Sequence, residues 1–126
     1  ELLDSGDHLV AMDDLYGGTF RLFERVRRRS AALDFTFADL SDPQAAAMAI
    51  RPRTKMIWIE SPSNPMLRLV DIAAVAAIAR ARGILVVVDN TFATPWIQRG
   101  PSASRTFRTR SVPSAGRSTA SWRCVA

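Results

Sequence analysis

The stretch Gly83-Ile84-Leu85-Val86-Val87-Val88-Asp89-Asn90-Thr91 decides the fold class. Its central run, Ile84 to Val88, is apolar at every position, whereas a strand with one face in water would alternate apolar and polar residues. A short apolar run that ends in Asp and Asn indicates a central parallel strand, covered by helices on both faces. The sequence therefore predicts an α/β protein.

The segment before this strand predicts a helix from Ile72 to Arg82. Asp71 can cap its first turn, and Arg80 in the last turn complements the helix dipole. Gly83 can adopt the left-handed conformation that ends a helix. Because the helix consists almost entirely of Ala, Ile and Val, we expect it to pack closely against a sheet.

The same alternation of strand and helix extends towards the N-terminus. We predict a helix at 19–29, in which Leu22, Phe23 and Val26 form one apolar stripe, and a second helix from about Pro43 to Ile50. Strands are predicted at 8–12, 33–38 and 56–59. The short Ala-rich helix has two possible starts: Ser41 with Gln44 forms a capping box, or Asp42 caps a helix that begins at Pro43. This order predicts a mixed, mostly parallel sheet with helices on both faces.

Composition divides the 126-residue chain near residue 98. Residues 99–126 contain six of the 17 Lys and Arg side chains and no acidic one, which leaves 11 basic against 12 acidic groups before them. The net charge of +5 therefore belongs to this tail, which shows neither helical nor strand periodicity. We predict that the tail is disordered or the product of a shifted reading frame.

Several classes of function are disfavoured by the same composition. An Arg-rich tail raises the hypothesis of nucleic-acid binding, but no binding motif or interleaved aromatic residues support it. The longest apolar run, Gly83 to Val88, is far shorter than a membrane span. We therefore expect neither nucleic-acid nor membrane partners. The single cysteine, Cys124, excludes an internal disulfide and is typical of a reducing compartment, so we expect a cytoplasmic protein.

Polar clusters follow three of the predicted strands. They are Asp13-Asp14-Leu15-Tyr16-Gly17-Gly18-Thr19, Glu60-Ser61-Pro62-Ser63-Asn64-Pro65 and Asp89-Asn90-Thr91-Phe92. Ligands of open parallel sheets bind beyond the carboxyl ends of the strands, so the clusters can form one site. The alternative is that they are ordinary turns, which are rich in the same residue types.

These clusters also carry a family resemblance. Asp14 to Thr19, Glu60 to Pro65 and Val88 to Phe92 resemble, in order and spacing, motifs of the Cys/Met-metabolism (trans-sulfuration) family of fold-type I pyridoxal-phosphate (PLP) enzymes. The likeness covers roughly residues 1–99, and the segment from Met12 to Thr19 looks most like bacterial cystathionine γ-lyase or γ-synthase. It implies that residues 1–98 are part of an aspartate-aminotransferase-like, PLP-binding large domain.

The resemblance implies roles for individual side chains. Tyr16 would stack on the cofactor ring and serve in proton transfer, Asn64 would bond the 3′-oxygen, and Asp89 would pair with the protonated pyridine nitrogen. Thr91 would support Asp89, and Arg21 would face the substrate. The plain alternatives are turn residues and, for Arg21, a surface arginine on a helix.

The resemblance further implies a Schiff-base lysine, which this sequence lacks at the matching place near Arg110 to Ser114. The only lysine, Lys55, precedes the strand at 56–59 and thus lies on the wrong edge of the sheet, roughly 13 Å away. The resemblance predicts a carbon–sulfur lyase or synthase for sulfur amino acids, present here as an incomplete chain. Intact relatives would be homo-oligomers (tetramers). The alternative is a catalytically inactive remnant.

Overall fold

The structure, a computed structural model, describes residues 2–93. Within them lie four strands: β1 (His8–Met12), β2 (Asp34–Ala38), β3 (Thr54–Glu60) and β4 (Leu85–Asp89). The strands are parallel and form one sheet in the order β2-β1-β3-β4. The helices are α1 (Gly17–Arg21), α2 (Arg28–Ser30), α3 (Pro43–Ala49) and α4 (Ile72–Arg80), and a π-helical segment (Leu22–Arg27) joins α1 to α2. The predicted α/β class is confirmed, whereas the tail 99–126 lies outside the described residues.

Side-chain caps start the two longer helices. The Asp71 carboxylate accepts a hydrogen bond of 2.9 Å from Ala74 N, and the Asp42 carboxylate accepts one of 2.8 Å from Gln44 N. Asp42 is followed by Pro43 at the first helical position, so the second of the two predicted starts of α3 is confirmed. Gly83, after α4, has the expected left-handed φ of +66°.

The predicted helix at 19–29 is interrupted by the π-helical segment. We expected Leu22, Phe23 and Val26 to form one apolar stripe, but only Phe23 is buried, while Leu22 and Val26 are 44% and 48% exposed. A π-helical turn is bonded at i→i+5, so the 3.6-residue period behind that expectation does not hold there. The stripe prediction was therefore wrong.

Helices cover both faces of the sheet. On one face, the Phe23 ring stacks on Phe35 at 5.1 Å and meets Trp58 edge-on at 5.4 Å. On the other face lie α3 and α4, which contact each other, β2 and β4. The side chains packed at this second face are almost fully buried: Ile57, Ile59, Val75, Ala79 and Val86.

The prediction that the apolar strand is central was wrong for the described residues. Within residues 2–93, β4 pairs with β3 alone and lies at the edge of the sheet. Val86 is buried, but Leu85, Val87 and Val88 are only partly so. A continuous apolar run reports that both faces of a strand are covered, and it carries no information about its two hydrogen-bonding edges.

No helix within residues 2–93 combines the length and the hydrophobicity that crossing a lipid bilayer requires.

Candidate functional site

A cleft opens beyond the carboxyl ends of β1, β3 and β4. The chain leaves β1 towards one face of the sheet through α1, and it leaves the neighbouring β3 towards the opposite face through α4. Diverging connections at adjacent strands create a crevice in parallel sheets. The cleft has a volume of about 690 Å³ and is lined by Tyr16, Gly18, Thr19, Leu22, Phe23, Trp58, Glu60, Pro62, Asn64, Asp89, Thr91 and Phe92.

Four of the five predicted site residues line this cleft: Tyr16, Asn64, Asp89 and Thr91. Arg21, the fifth, is exposed on α1 and is not among the lining residues of the described part of the chain. The topology therefore brings together segments that are distant in sequence, while the roles of these residues stay predictions.

Asp89 lies at the end of β4, where Thr91 orients its carboxylate. Asp89 Oδ1 accepts hydrogen bonds from Thr91 N at 3.1 Å and from Thr91 Oγ1 at 2.6 Å. Asp89 is also the register partner of Glu60 on β3. Two carboxylates thus lie side by side on the sheet face that forms the floor of the cleft.

Tyr16 forms the aromatic wall. It precedes α1, its side chain is 56% exposed, and its ring lies across Gly18. A Cβ atom at Gly18 would come within 2.4 Å of Tyr16 Cε1, so a residue with a side chain at this position would displace the ring. The second glycine of the Gly17-Gly18 pair therefore allows the Tyr16 ring to lie in this position.

The loop after β3 is anchored to the loop after β1. Ser63 Oγ donates a hydrogen bond to the Asp14 carboxylate, which also accepts from Met66 N at 3.0 Å. Ser63 Oγ in turn accepts from Arg68 N at 2.8 Å. These bonds fix the segment that carries Asn64 at the edge of the cleft.

Eight of the twelve lining residues were not predicted as site residues, and two of these, Glu60 and Trp58, carry buried polar groups. Glu60 is 4% exposed, and its carboxylate accepts hydrogen bonds from Tyr16 N at 3.1 and 3.3 Å. Trp58 lies two residues earlier on the same strand face, and its buried Nε1 has no acceptor among the described residues. The available signal was the alternation along β3, which places both side chains on the face of Asp89.

Burial raises the pKa of the Glu60 carboxyl above its ordinary value. The Tyr16 N–H acts in the opposite direction, and the nearby Asp89 and Asp14 raise the pKa further. The cleft therefore contains one carboxylate that is oriented by a threonine and a second, buried one that is prone to take up a proton.

Lys55 lies far from the cleft. It is exposed and lies within β3, not before it as predicted, near the amino end of the strand. It precedes Glu60 by five positions, or about 16 Å along a strand. No cluster of three or more His, Cys, Asp or Glu side chains suited to a metal ion is found within residues 2–93.

The arrangement suits a flat, positively charged heterocycle. An aromatic ring favours stacking on one face, a side-chain amide can bond a polar ring substituent, and a carboxylate can pair with a protonated ring nitrogen. The lack of a side chain at Gly18 leaves the space that the Tyr16 ring occupies.

The chain is similar to proteins of known class. The sequence pattern of the family described as Cys/Met metabolism PLP-dependent enzyme matches residues 1–102. Cystathionine beta-lyase of Coxiella burnetii is 58% identical over 99 residues, which are 79% of this chain and 26% of the relative. The probable cystathionine gamma-synthase of Herpetosiphon aurantiacus is 51% identical over 98 residues, covering 78% of this chain and 30% of the relative.

A solved structure agrees with these sequence matches. Cystathionine gamma-lyase from Lactobacillus plantarum, crystallised with L-serine, superposes with a TM-score of 0.73 at 45% identity and covers 75% of this chain. The chain spans about a quarter of the length of that protein and 26–30% of the two relatives above. With this match over most of its residues, the chain belongs to the Cys/Met metabolism family of PLP-dependent enzymes.

Proposed function

We propose that this chain provides the ring-binding part of a PLP-dependent carbon–sulfur lyase or synthase of the trans-sulfuration type. The observation that carries the proposal is the convergence of Tyr16, Asn64 and Asp89 on one cleft from three separate strand ends. A volume of about 690 Å³ is within the usual range for small-molecule sites. The substrate would be a small sulfur amino acid, and Arg21 is its proposed contact.

Each residue has a defined task in this proposal. Tyr16 stacks on the ring, Asn64 donates to the ring oxygen, and Asp89, oriented by Thr91, keeps the proton on the ring nitrogen. When bound, PLP supplies an electron sink for carbanion chemistry. The chain's own residues bind the ring, orient it and supply the negative charge that keeps the ring nitrogen protonated.

The wider context completes the proposal. Residues 1–98 would be part of the large domain of a cytoplasmic, homo-oligomeric (tetrameric) enzyme. Lys55 lies near the amino end of β3, and the cleft opens at its carboxyl end. We therefore infer that this chain holds the ring without a covalent bond and does not complete the reaction alone. The same position of Lys55 favours the second candidate, a catalytically inactive remnant of the family.

Binding of pyridoxine 5′-phosphate tests the proposal, because this analogue lacks the aldehyde that reacts with amines. We expect saturable binding in isothermal titration calorimetry and, because stacking is lost, affinity about 10-fold weaker in Tyr16→Ala. The matched control is Phe20→Ala, which removes another exposed ring, packed on Phe37 and outside the cleft. Absence of saturable binding, or equal binding by Tyr16→Ala and the wild-type chain, contradicts the proposal.

Borohydride reduction with PLP itself tests the inference about Lys55. We expect no stoichiometric covalent adduct by mass spectrometry. An adduct that disappears in Lys55→Arg would contradict non-covalent binding.

A further inference from the structure

Glu60 occupies a position that the proposed ring contacts do not explain. Acidic side chains are seldom buried unless they are paired or hydrogen-bonded, yet Glu60 is 4% exposed at the end of β3. Both carboxylate oxygens face one donor, the backbone N–H of Tyr16, at 3.1 and 3.3 Å. Its register partner across the sheet is Asp89.

Within residues 2–93, the Tyr16 ring lies against Gly18 and is largely open to solvent. The side chain is 56% exposed and makes no capping hydrogen bond, and the Tyr16 carbonyl accepts from Phe20 N at 3.1 Å as the first bond of the helix. The backbone bond to Glu60 therefore joins the start of α1 to the strand end beside Asp89.

We propose that Glu60 is a positioning residue, whose carboxylate holds the Tyr16 backbone against the end of β3 and thereby sets the Tyr16 ring relative to Asp89. This inference rests on the proposed function, because the ring and Asp89 matter jointly only if a ligand spans them. Glu60 need not touch the ligand for this role.

The role requires the ionised form of Glu60. An N–H bond to a carboxylate is charge-assisted and stronger than one to a neutral carboxyl group. Burial raises the pKa of Glu60, and among residues 2–93 the charges of Asp89 on β4 and Asp14 after β1 raise it further. Acidification should therefore protonate Glu60 at a pH above that of an ordinary glutamate and release the Tyr16 backbone.

The single tyrosine of the chain makes this measurable without any ligand. Labelling with ¹⁵N-tyrosine gives one backbone amide signal, that of Tyr16. We expect this signal to titrate with a midpoint above the ordinary glutamate value of 4.5 and to lose the titration in Glu60→Gln. Amide exchange should be about 10-fold faster in Glu60→Ala, because one hydrogen bond to a charged group is lost.

The matched control is Glu24→Gln, which neutralises a glutamate that pairs with Arg28, on the π-helical segment. It should leave the titration of the Tyr16 amide unchanged. An unchanged titration in Glu60→Gln overturns the proposal. Because Gln has the shape of Glu, this comparison holds even if Glu60→Ala fails to fold.

A second arm measures the affinity for pyridoxine 5′-phosphate. We expect affinity to fall on acidification with the same midpoint as the amide signal, and to fall further in Glu60→Ala than in Glu60→Gln. Wild-type affinity in a folded Glu60→Ala variant with a fast-exchanging Tyr16 amide overturns the positioning role. If the Tyr16 amide titrates but no ligand binds, the contact between Glu60 and the Tyr16 backbone is supported, and the proposed function is the part that fails.

Discussion

Replacement of Asp89 by Asn removes one negative charge from the cleft while it preserves the shape of the side chain. The Asn oxygen can still accept the hydrogen bonds that Asp89 Oδ1 receives from Thr91 N and Thr91 Oγ1, so the end of β4 should keep its geometry. A hydrogen bond to a charged partner contributes about 1.5–3 kcal/mol, against about 0.5–1.5 kcal/mol for a neutral one. The difference of about 1–2 kcal/mol corresponds to roughly 5- to 30-fold weaker binding of a protonated ring.

Calorimetric titration with pyridoxine 5′-phosphate measures this loss, and thermal unfolding verifies that the variant is folded. The control is Asp42→Asn, which makes the same chemical change at the cap of α3, where Asn serves equally well. If Asp89→Asn binds within about twofold of the wild-type affinity and unfolds at the same temperature, Asp89 does not pair with a ring cation.

Two further predictions concern stability. Burial, followed by the Arg51 charge, lowers the pKa of His8, while Asp34 raises it. The unfolded chain then binds the proton more readily than the folded chain. The contribution of His8 to the free energy of unfolding should therefore be fully present above pH 6.5 and should be lost as the pH falls below 6.5, as measured by urea unfolding. A slope that persists in His8→Gln would contradict this. Ile57→Ala, at a fully buried site, should lower the free energy of unfolding by about 2–5 kcal/mol, whereas Met48→Ala, 80% exposed, should change it by less than about 0.5 kcal/mol; equal losses would refute the assigned core.

The strands and helix starts could be predicted because local chemistry determines them. His8–Met12 matches the prediction at both ends, Asp71 caps its helix as expected, and Asp42 caps α3 as the second of the two predicted starts requires. Apolar runs and capping side chains act over a few residues, so their signals are contained within each segment.

The errors concern properties that depend on more distant contacts. Within residues 2–93 β4 lies at the edge of the sheet, and whether a strand is central or at an edge depends on which segments pair beside it. The composition of the run from Leu85 to Val88 is the same in either case. The π-helical segment from Leu22 to Arg27 changes which side chains face the sheet, and no residue in it marks that change.

The candidate site divides in the same way. Tyr16, Asn64 and Asp89 belong to motifs at strand ends, so topology and resemblance both pointed to them. Glu60 lies in one of those motifs, but its importance arises from a contact with Tyr16, 44 residues away. Only the folded chain reveals that contact.

The diverging connections at β1 and β3 also link ligand binding to folding. Because the cleft is assembled from three strand ends, an unfolded chain has no partial version of it to offer. A ligand that spans Tyr16 and Asp89 would reversibly connect two segments 73 residues apart, and it would bind only the native state. At a free concentration 100 times its dissociation constant, it would add about 2.7 kcal/mol to the free energy of unfolding. A shift of the melting temperature with ligand concentration would then report occupancy of the cleft, even in a chain that carries out no chemistry.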